Sequence, residues 1–251
     1  ISFNPRHYPV LKKVNIEGTA NVVNFCLTEG VKKLCYISSI ATLGKTTDGS
    51  LSTEETEFNP EENNSVYAIT KHEAEMQVWR GTQEGLDAII VHPGVIIGEG
   101  VWSSASGGIF RTISKGLHYY TPGGVSIVDV KDVVKAMISL TTSIIKNEAY
   151  ILVAKNIYYK ELLTKISVSL NKKPPNKTIA KWMMISVVNL DWFLYKVFRI
   201  KRKLLKATVR SLYKTSFYDA SKIKEVLGFK FTPSDKMIER VARNYRKDFK
   251  F

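Results

Sequence analysis

The sequence predicts an α/β fold built on a parallel sheet, and three observations lead there. Stretches with apolar residues at helical spacing alternate in order with short unbroken apolar runs. The apolar runs end in small or turn-forming residues, as buried strands of parallel sheets do. The chain has 251 residues, 44% of them hydrophobic, enough to fill the core of one large domain or of a domain with a small appendage.

The elements follow in order. From Pro9 to Gly30, Val10, Val14, Val22, Val23 and Cys26 recur at helical spacing between a proline and a glycine placed as helix ends prefer them. This predicts one long helix. Leu34-Cys35-Tyr36-Ile37 reads as a buried strand with Ser38 and Ser39 at its C-terminal end, the end where parallel sheets bind ligands. Residues 46–65 are acidic and turn-rich and read as an exposed loop. Helical periodicity resumes from Val66 to Thr82, and Leu86 to Val91 forms a second buried strand, closed by His92-Pro93-Gly94. Helix, strand, helix, strand argues for crossover connections and parallel pairing. A glycine- and serine-rich stretch (102–108) precedes a helix-like segment, Ile109 to Leu117, and a turn at 119–124. Val125 to Val130 is strand-like, Asp132 is expected to cap a helix Val133 to Leu140, and Tyr150 to Val153 is a further strand. From Tyr158 onward the pattern is mostly helical, with a break at Pro174-Pro175. Residues 1–100 are therefore expected to form the main sheet domain and 101–251 mainly a second subdomain, with 125–155 returning to the sheet.

Composition narrows the partners. The formal net charge is +14 and the isoelectric point about 9.6. Much of the excess falls late, at Arg199, Lys201, Arg202, Lys203, Lys206, Arg210 and Lys214. A solvated helix face is the plain reading; attraction to phosphate or to an anionic membrane is the alternative. No recognition motif accompanies the charge, so nucleic acid is not expected. Cys26 and Cys35 have no metal-ligand spacing, which predicts no metal site and a reducing, cytoplasmic setting. The first residues lack a signal-peptide layout. The apolar stretch from Trp182 to Ile200 is interrupted by Asn189, Asp191, Lys196 and Arg199 and is too polar to span a membrane. Peripheral membrane contact through 182–210 and a homodimer are both kept open as partner readings.

The chemistry turns on Tyr67-Ala-Ile-Thr-Lys71. The chain holds three Tyr-x-x-x-Lys spacings, at Tyr8, Tyr67 and Tyr218, so the spacing alone selects nothing. Only Tyr67 opens a helix between two buried strands and has a Ser-Ser strand end upstream. A phenol has a pKa of about 10, too high for efficient proton exchange near neutrality. An ammonium about 4 Å away, at an effective dielectric of about 20, is worth about 4 kcal/mol. Lys71, one turn on, is expected to supply it and lower the Tyr67 pKa. Ser38 and Ser39 both compete as the donor to a developing oxyanion, their hydroxyls facing opposite sides of the strand; Ser39 is preferred, partly on the resemblance described next. Asn15 could support Lys71 through water, or could bond backbone.

The chain resembles the extended short-chain dehydrogenase/reductases, the NAD-dependent epimerase/dehydratase family. The likeness runs through Asn15-Ile-Glu-Gly18-Thr19-Ala-Asn21-Val22, Tyr36-Ile-Ser38-Ser39-Ile40, Tyr67-Ala-Ile-Thr-Lys71, Val91-His-Pro93-Gly94-Val95-Ile-Ile-Gly98 and Val128-Asp129-Val130-Lys-Asp132-Val133. Tyr218-Asp219-Ala-Ser221-Lys222 with Leu227-Gly228-Phe229 resembles the closing segment. The nearest look is to dihydroflavonol reductase-like and 3β-hydroxysteroid dehydrogenase-like members.

The resemblance implies a Rossmann-like parallel sheet, its N-terminal strands missing, with a smaller, mostly helical substrate subdomain. It implies Ser39, Tyr67 and Lys71 as catalytic and Ser38, Tyr67, Lys71, Pro93, Gly94 and Val95 as contacts to NAD or NADP. It implies oxidation of a secondary alcohol or reduction of a carbonyl on a small organic substrate. Gly107, Gly108 and Tyr119-Tyr120 could border the substrate. Ile40 and Ala41 stand where sugar-nucleotide dehydratases carry acidic residues, which counts against dehydration. An epimerase using the same residues and a non-catalytic, membrane-associated protein of this fold remain the alternatives. No Gly-x-x-Gly-x-x-Gly turn occurs in the 251 residues. Roughly seventy residues of the family pattern are thus expected upstream, and this stretch alone is expected to be inactive.

Overall fold

The computed structural model describes residues 4–46, 48–103, 106–198 and 205–249. Arg199, Lys201, Arg202 and Lys203 of the basic run lie outside the described residues. The chain divides into two compact units, one of Ile1–Ile96, Ser126–Lys155 and Phe217–Thr232, the other of Ile97–Val125, Asn156–Ser216 and Pro233–Phe251.

The first unit is built on three parallel strands in the order Leu34–Ile37, Ala88–Pro93, Glu148–Leu152. Ile37 lies beside Val91, and Val91 beside Tyr150. Every residue of the middle strand is buried, so its alternate side chains must meet cover on both faces. On one face Ala88 and Ile90 pack with Val23, Cys26, Val78 and Leu86. On the other, Ile89 and Val91 pack with Val133, Ala136, Leu140, Ile223 and Phe229. This strand starts and ends two residues later than its apolar run suggests, because His92 and Pro93 continue the ladder beside Ile151 and Leu152.

The first face is covered by two helices. One is a continuous helical segment running from a 3-10 turn at Pro5–His7 through Tyr8–Leu11 and Lys12–Glu17 to Gly18–Thr28, with π geometry over Lys12–Glu17. The other is Val66–Gln83, which begins where the Ser65 hydroxyl accepts the Ala68 N–H, an N-cap. Gly81 lets the two approach closely, since a Cβ there would meet Val23 Cγ1 at 2.6 Å. The helix Val130–Thr142 covers the other face. Its cap is Asp129, which accepts from Lys131 N at 2.9 Å, rather than the expected Asp132. Asp132 instead accepts from the Thr232 backbone N at 2.7 Å and hydroxyl at 3.0 Å and so tethers Phe217–Thr232 to this unit.

The second unit is mostly helical: Gly107–Ser114, Tyr159–Ser169, Lys181–Phe198, Lys206–Tyr213 and Ser234–Phe249. A short parallel pair joins Tyr119–Tyr120 to Lys177–Thr178. The Trp102 ring meets Tyr245 edge-on at 5.0 Å, and its indole N–H donates to Asp248 at 2.8 Å. Gly107 is needed for packing, since a Cβ there would lie 2.0 Å from the Val101 carbonyl oxygen; Gly108 faces open space. Tyr120, Thr121, Pro122, Tyr158, Lys160 and Thr164 line an open groove of about 690 Å³. No described helix is long and apolar enough to cross a membrane.

Candidate active site

The first strand delivers two serines to the C-terminal edge of the parallel sheet, and the Val66–Gln83 helix presents Tyr67 and Lys71 to the same edge. Ser39 is extended and heads the 3-10 turn Ile40–Thr42, its hydroxyl accepting the Ala41 N–H at 3.2 Å. That side chain also acts on the Tyr67 phenol, favouring its ionised form. Burial pushes the Tyr67 pKa upward, and Ser39 opposes the rise without cancelling it.

Lys71 sits differently from expectation. Its ammonium donates to the Tyr36 hydroxyl at 2.8 Å and to the Ile37 carbonyl at 2.7 Å, and it lies 4.3 Å from the Tyr36 ring centroid. Burial holds its pKa down to about 8, with the Glu75 charge pulling the other way. Tyr36 is pushed up to about 12 by burial, against a hydrogen bond from Thr19. The expected lowering of the Tyr67 pKa is therefore not what the structure displays. The ammonium is spent on the strand end, and desolvation dominates at the phenol. An ammonium carries three N–H donors; with two used, the third suits a hydroxyl such as that of a ribose.

Beneath this pair lies a buried polar cluster. Ser38, expected among the cofactor contacts, is only 3% exposed, and its hydroxyl donates to Glu75 Oε2 at 2.5 Å. Its hydroxyl is thus held on the inward side of the strand. Glu75 Oε2 also accepts from Thr42 Oγ1 at 2.9 Å and meets His92 Nε2 at 3.0 Å. Thr42 Oγ1 lies 2.8 Å from the Ser39 carbonyl as well, so the cluster grips the turn that carries Ser39. Burial pushes the Glu75 carboxyl up, but the His92 bond and charge and the Ser38 and Thr42 hydroxyls outweigh it, and its pKa ends below the usual range. His92 Nδ1 is buried with no hydrogen-bond partner among the described residues.

Sequence reasoning missed Tyr36, Thr42, Glu75 and His92. The one signal was spacing: Tyr67, Lys71 and Glu75 follow at i, i+4 and i+8 on one helix face.

The remaining expected residues fall into two groups. Pro93, Gly94 and Val95 leave the middle strand at the same C-terminal edge. The Gly94 N–H donates to the Leu152 carbonyl at 3.1 Å, and a Cβ on Gly94 would stand 2.6 Å from the Ser126 carbonyl oxygen. Asn15 makes a direct bond to the helix that carries Lys71. Its side-chain amide donates to Thr70 Oγ1 at 3.1 Å and ties the first helical segment to the Tyr67 helix. Among the described residues no group of three or more His, Cys, Asp or Glu side chains could hold a metal ion.

Comparison with known proteins agrees with this geometry. Residues 8–152 match the model of the "NAD dependent epimerase/dehydratase family". A Synechocystis sp. protein named "Putative dihydroflavonol 4-reductase" is 25% identical over 224 residues, which span 87% of this chain and 65% of that protein. The Arabidopsis thaliana "3beta-hydroxysteroid-dehydrogenase/decarboxylase isoform 1" is 26% identical over 86% of this chain and 53% of its own length. This chain thus spans roughly half to two-thirds of these relatives. Among solved structures, that of gox2253 superposes with a TM-score of 0.80 at 27% identity, covering 96% of this chain and 74% of the other.

Proposed function

The chain belongs to the NAD-dependent epimerase/dehydratase family, and from that premise we propose that it carries the proton-handling side of an NAD(P)-dependent oxidoreductase. The reaction is reduction of a carbonyl, or oxidation of the matching secondary alcohol, on a small organic substrate. The observation that carries this reading is the convergence of Ser39, at the C-terminal edge of a parallel sheet, with Tyr67, whose phenol it influences, one helical turn from a part-buried ammonium. Two neighbouring hydroxyls can together receive one substrate oxygen.

The donor set present fits one end of the cofactor. Lys71 has an N–H for the nicotinamide ribose, and Pro93, Gly94 and Val95 would border the nicotinamide side. Bound there, the cofactor would supply or accept the hydride. Everything else falls to this chain. Ser39 donates a hydrogen bond to the oxygen on which negative charge develops. Tyr67, neutral because burial raises its pKa, is the proton donor to that oxygen in the reductive direction. Lys71 holds the strand end in place through Ile37 and Tyr36. Turnover also needs a diphosphate-binding turn, which these 251 residues do not contain, so this stretch alone is expected to be inactive.

Tyr67→Phe in the parent protein tests the assignment. Turnover of an aldehyde or ketone substrate should fall about 10²- to 10⁴-fold while binding of the reduced nucleotide changes little. Unimpaired turnover would refute the role of Tyr67. Product analysis with 4-deuterated nicotinamide separates the reaction types, since deuterium in the product marks a reductase. An epimerase would return unlabelled, isomerised product with no net redox change.

A further inference from the structure

The helix Lys181–Phe198 is turned inside out relative to an ordinary surface helix. Val188 is buried, and Met184, Asp191 and Tyr195 are half-buried; at i−4, i, i+3 and i+7 they form its packed face. The opposite face carries Trp182, Leu190, Phe193 and Val197, which are 70%, 57%, 52% and 52% exposed, with Ser186 between them. Trp192 is exposed as well, and the Lys196 ammonium lies 5.3 Å from its ring. Scattered exposed apolar residues need no explanation, but an aromatic-rich stripe along one helix does.

The next helix, Lys206–Tyr213, packs against this one and adds the charge. Val209 is buried, whereas Lys206 and Arg210, at i and i+4 on one face, and Lys214 just past the helix end are all exposed. Between Lys181 and Lys214 the sequence holds one acidic residue, Asp191, and that one belongs to the packed face. An aromatic-apolar stripe on one helix and exposed cations on the helix packed against it, with Asp191 the one acidic residue of the stretch, suit a phospholipid interface, which offers acyl chains to the first and anionic headgroups to the second.

We propose that this pair of helices docks the protein on the surface of an anionic phospholipid membrane. Trp182, Leu190, Phe193 and Val197 enter the acyl boundary and Lys206, Arg210 and Lys214 meet the headgroups. The helix lies in the interface rather than crossing it, since no described helix is long and apolar enough to span. A second copy of the chain is a poorer occupant. A two-fold contact through this face would carry two sets of these cations into one interface without acidic partners.

The test is sedimentation of the full chain with vesicles of phosphatidylcholine alone or mixed with phosphatidylserine, at low and high salt. Binding is expected to the anionic vesicles at low salt, to weaken at high salt, and to be accompanied by a blue shift of tryptophan emission. Lys206→Gln, Arg210→Gln and Lys214→Gln together should weaken binding on the order of 100-fold, at about fivefold per cation. Leu190→Ser with Phe193→Ser should weaken it about tenfold or more, since burying these side chains is the other source of affinity. Quenching of wild-type tryptophan by bromine-labelled acyl chains needs no variant and covers the case in which a variant does not fold. Equal recovery with neutral and anionic vesicles, or no recovery with either, would overturn the proposal. So would a dimer that Leu190→Ser/Phe193→Ser converts to monomer while vesicle binding is untouched, which would make the face a self-interface.

Discussion

Removing the Glu75 carboxylate should be among the most damaging single changes in the first unit. Glu75 is 6% exposed and His92 is 1% exposed, and the pair sits with two hydroxyls that both turn toward Glu75 Oε2. In Glu75→Ala, Ser38, Thr42 and His92 all lose their common acceptor inside the fold. Each buried partner left without its acceptor costs up to about 1–3 kcal/mol unless it finds another. Against a total stability of about 5–15 kcal/mol, a loss near 4 kcal/mol removes a large share. With a urea slope of about 2 kcal/mol/M, the midpoint should fall by about 2 M. Glu75→Gln keeps the volume and one carbonyl acceptor and should lose less than half as much. The pH dependence carries a sign. The Glu75 pKa is lowered in the fold, so its contribution is fully present above the unfolded value of about 4.3 and disappears as pH falls through the lower folded value. The gap between wild type and Glu75→Gln should therefore close in acid. Urea melts of Glu75→Ala within about 0.5 kcal/mol of wild type at neutral pH, where unremarkable surface substitutions fall, would refute the cluster as an anchor.

Four further outcomes follow from the same geometry. Lys71 is lowered from its usual 10.5 to about 8 by burial, so the fold is penalised for its charge below about pH 8 and relieved as pH rises toward 10.5. Lys71→Met should show its most favourable stability relative to wild type below about pH 8, with the advantage shrinking in base, as thermal melts across that range would show. On the proposed function, nucleotide affinity should decline as the ammonium is lost above about pH 8, and Glu75→Gln should move that decline to lower pH, because the Glu75 charge holds the Lys71 pKa up. Ser39→Ala should lower kcat about 10²-fold or more with a small change in KM, read in steady-state kinetics. Gly94→Ala should destabilise by about 1–3 kcal/mol, because its Cβ would press on the Ser126 backbone at 2.6 Å, which calorimetry can detect.

The parts legible in the sequence are those whose cause is local. Apolar periodicity places the helix that starts at Val66, and the run Leu34–Ile37 is a strand as expected, because both signals arise from neighbours a few residues apart; it is an edge strand of the three and half-buried to exposed rather than buried. Tyr67 and Ser39 could be singled out because one opens a helix and the other follows the end of the preceding strand. Glu75, His92 and Thr42 meet from three separate segments, and no short-range pattern encodes that meeting. The boundary of the middle strand was misplaced for a related reason. His92 and Pro93 look like a strand terminator in sequence, yet burial beside Ile151 and Leu152 extends the ladder through them. Likewise nothing in the pattern of residues 217–232 marks them as part of the first unit; that follows from Thr232 bonding to Asp132 one hundred residues away.

The electrostatics of the site come out reversed from the simplest expectation, with a consequence for direction. Three ionisable side chains crowd the strand end: Tyr67, raised above its usual 10.0, Tyr36, pushed up to about 12, and Lys71, brought down to about 8. As pH rises, the first proton to leave is therefore the ammonium's, while both phenols stay neutral. A neutral Tyr67 donor suits protonation of a reduced carbonyl oxygen. Alcohol oxidation needs the same phenol to have lost its proton, which requires a further cation beside it, and the oxidised nicotinamide ring is itself cationic. The reductive direction should thus run at neutral pH with a shallow pH profile, whereas oxidation should rise with pH until the Lys71 ammonium is lost. Parallel pH profiles for the two directions would show that Tyr67 is not the group whose proton is moved.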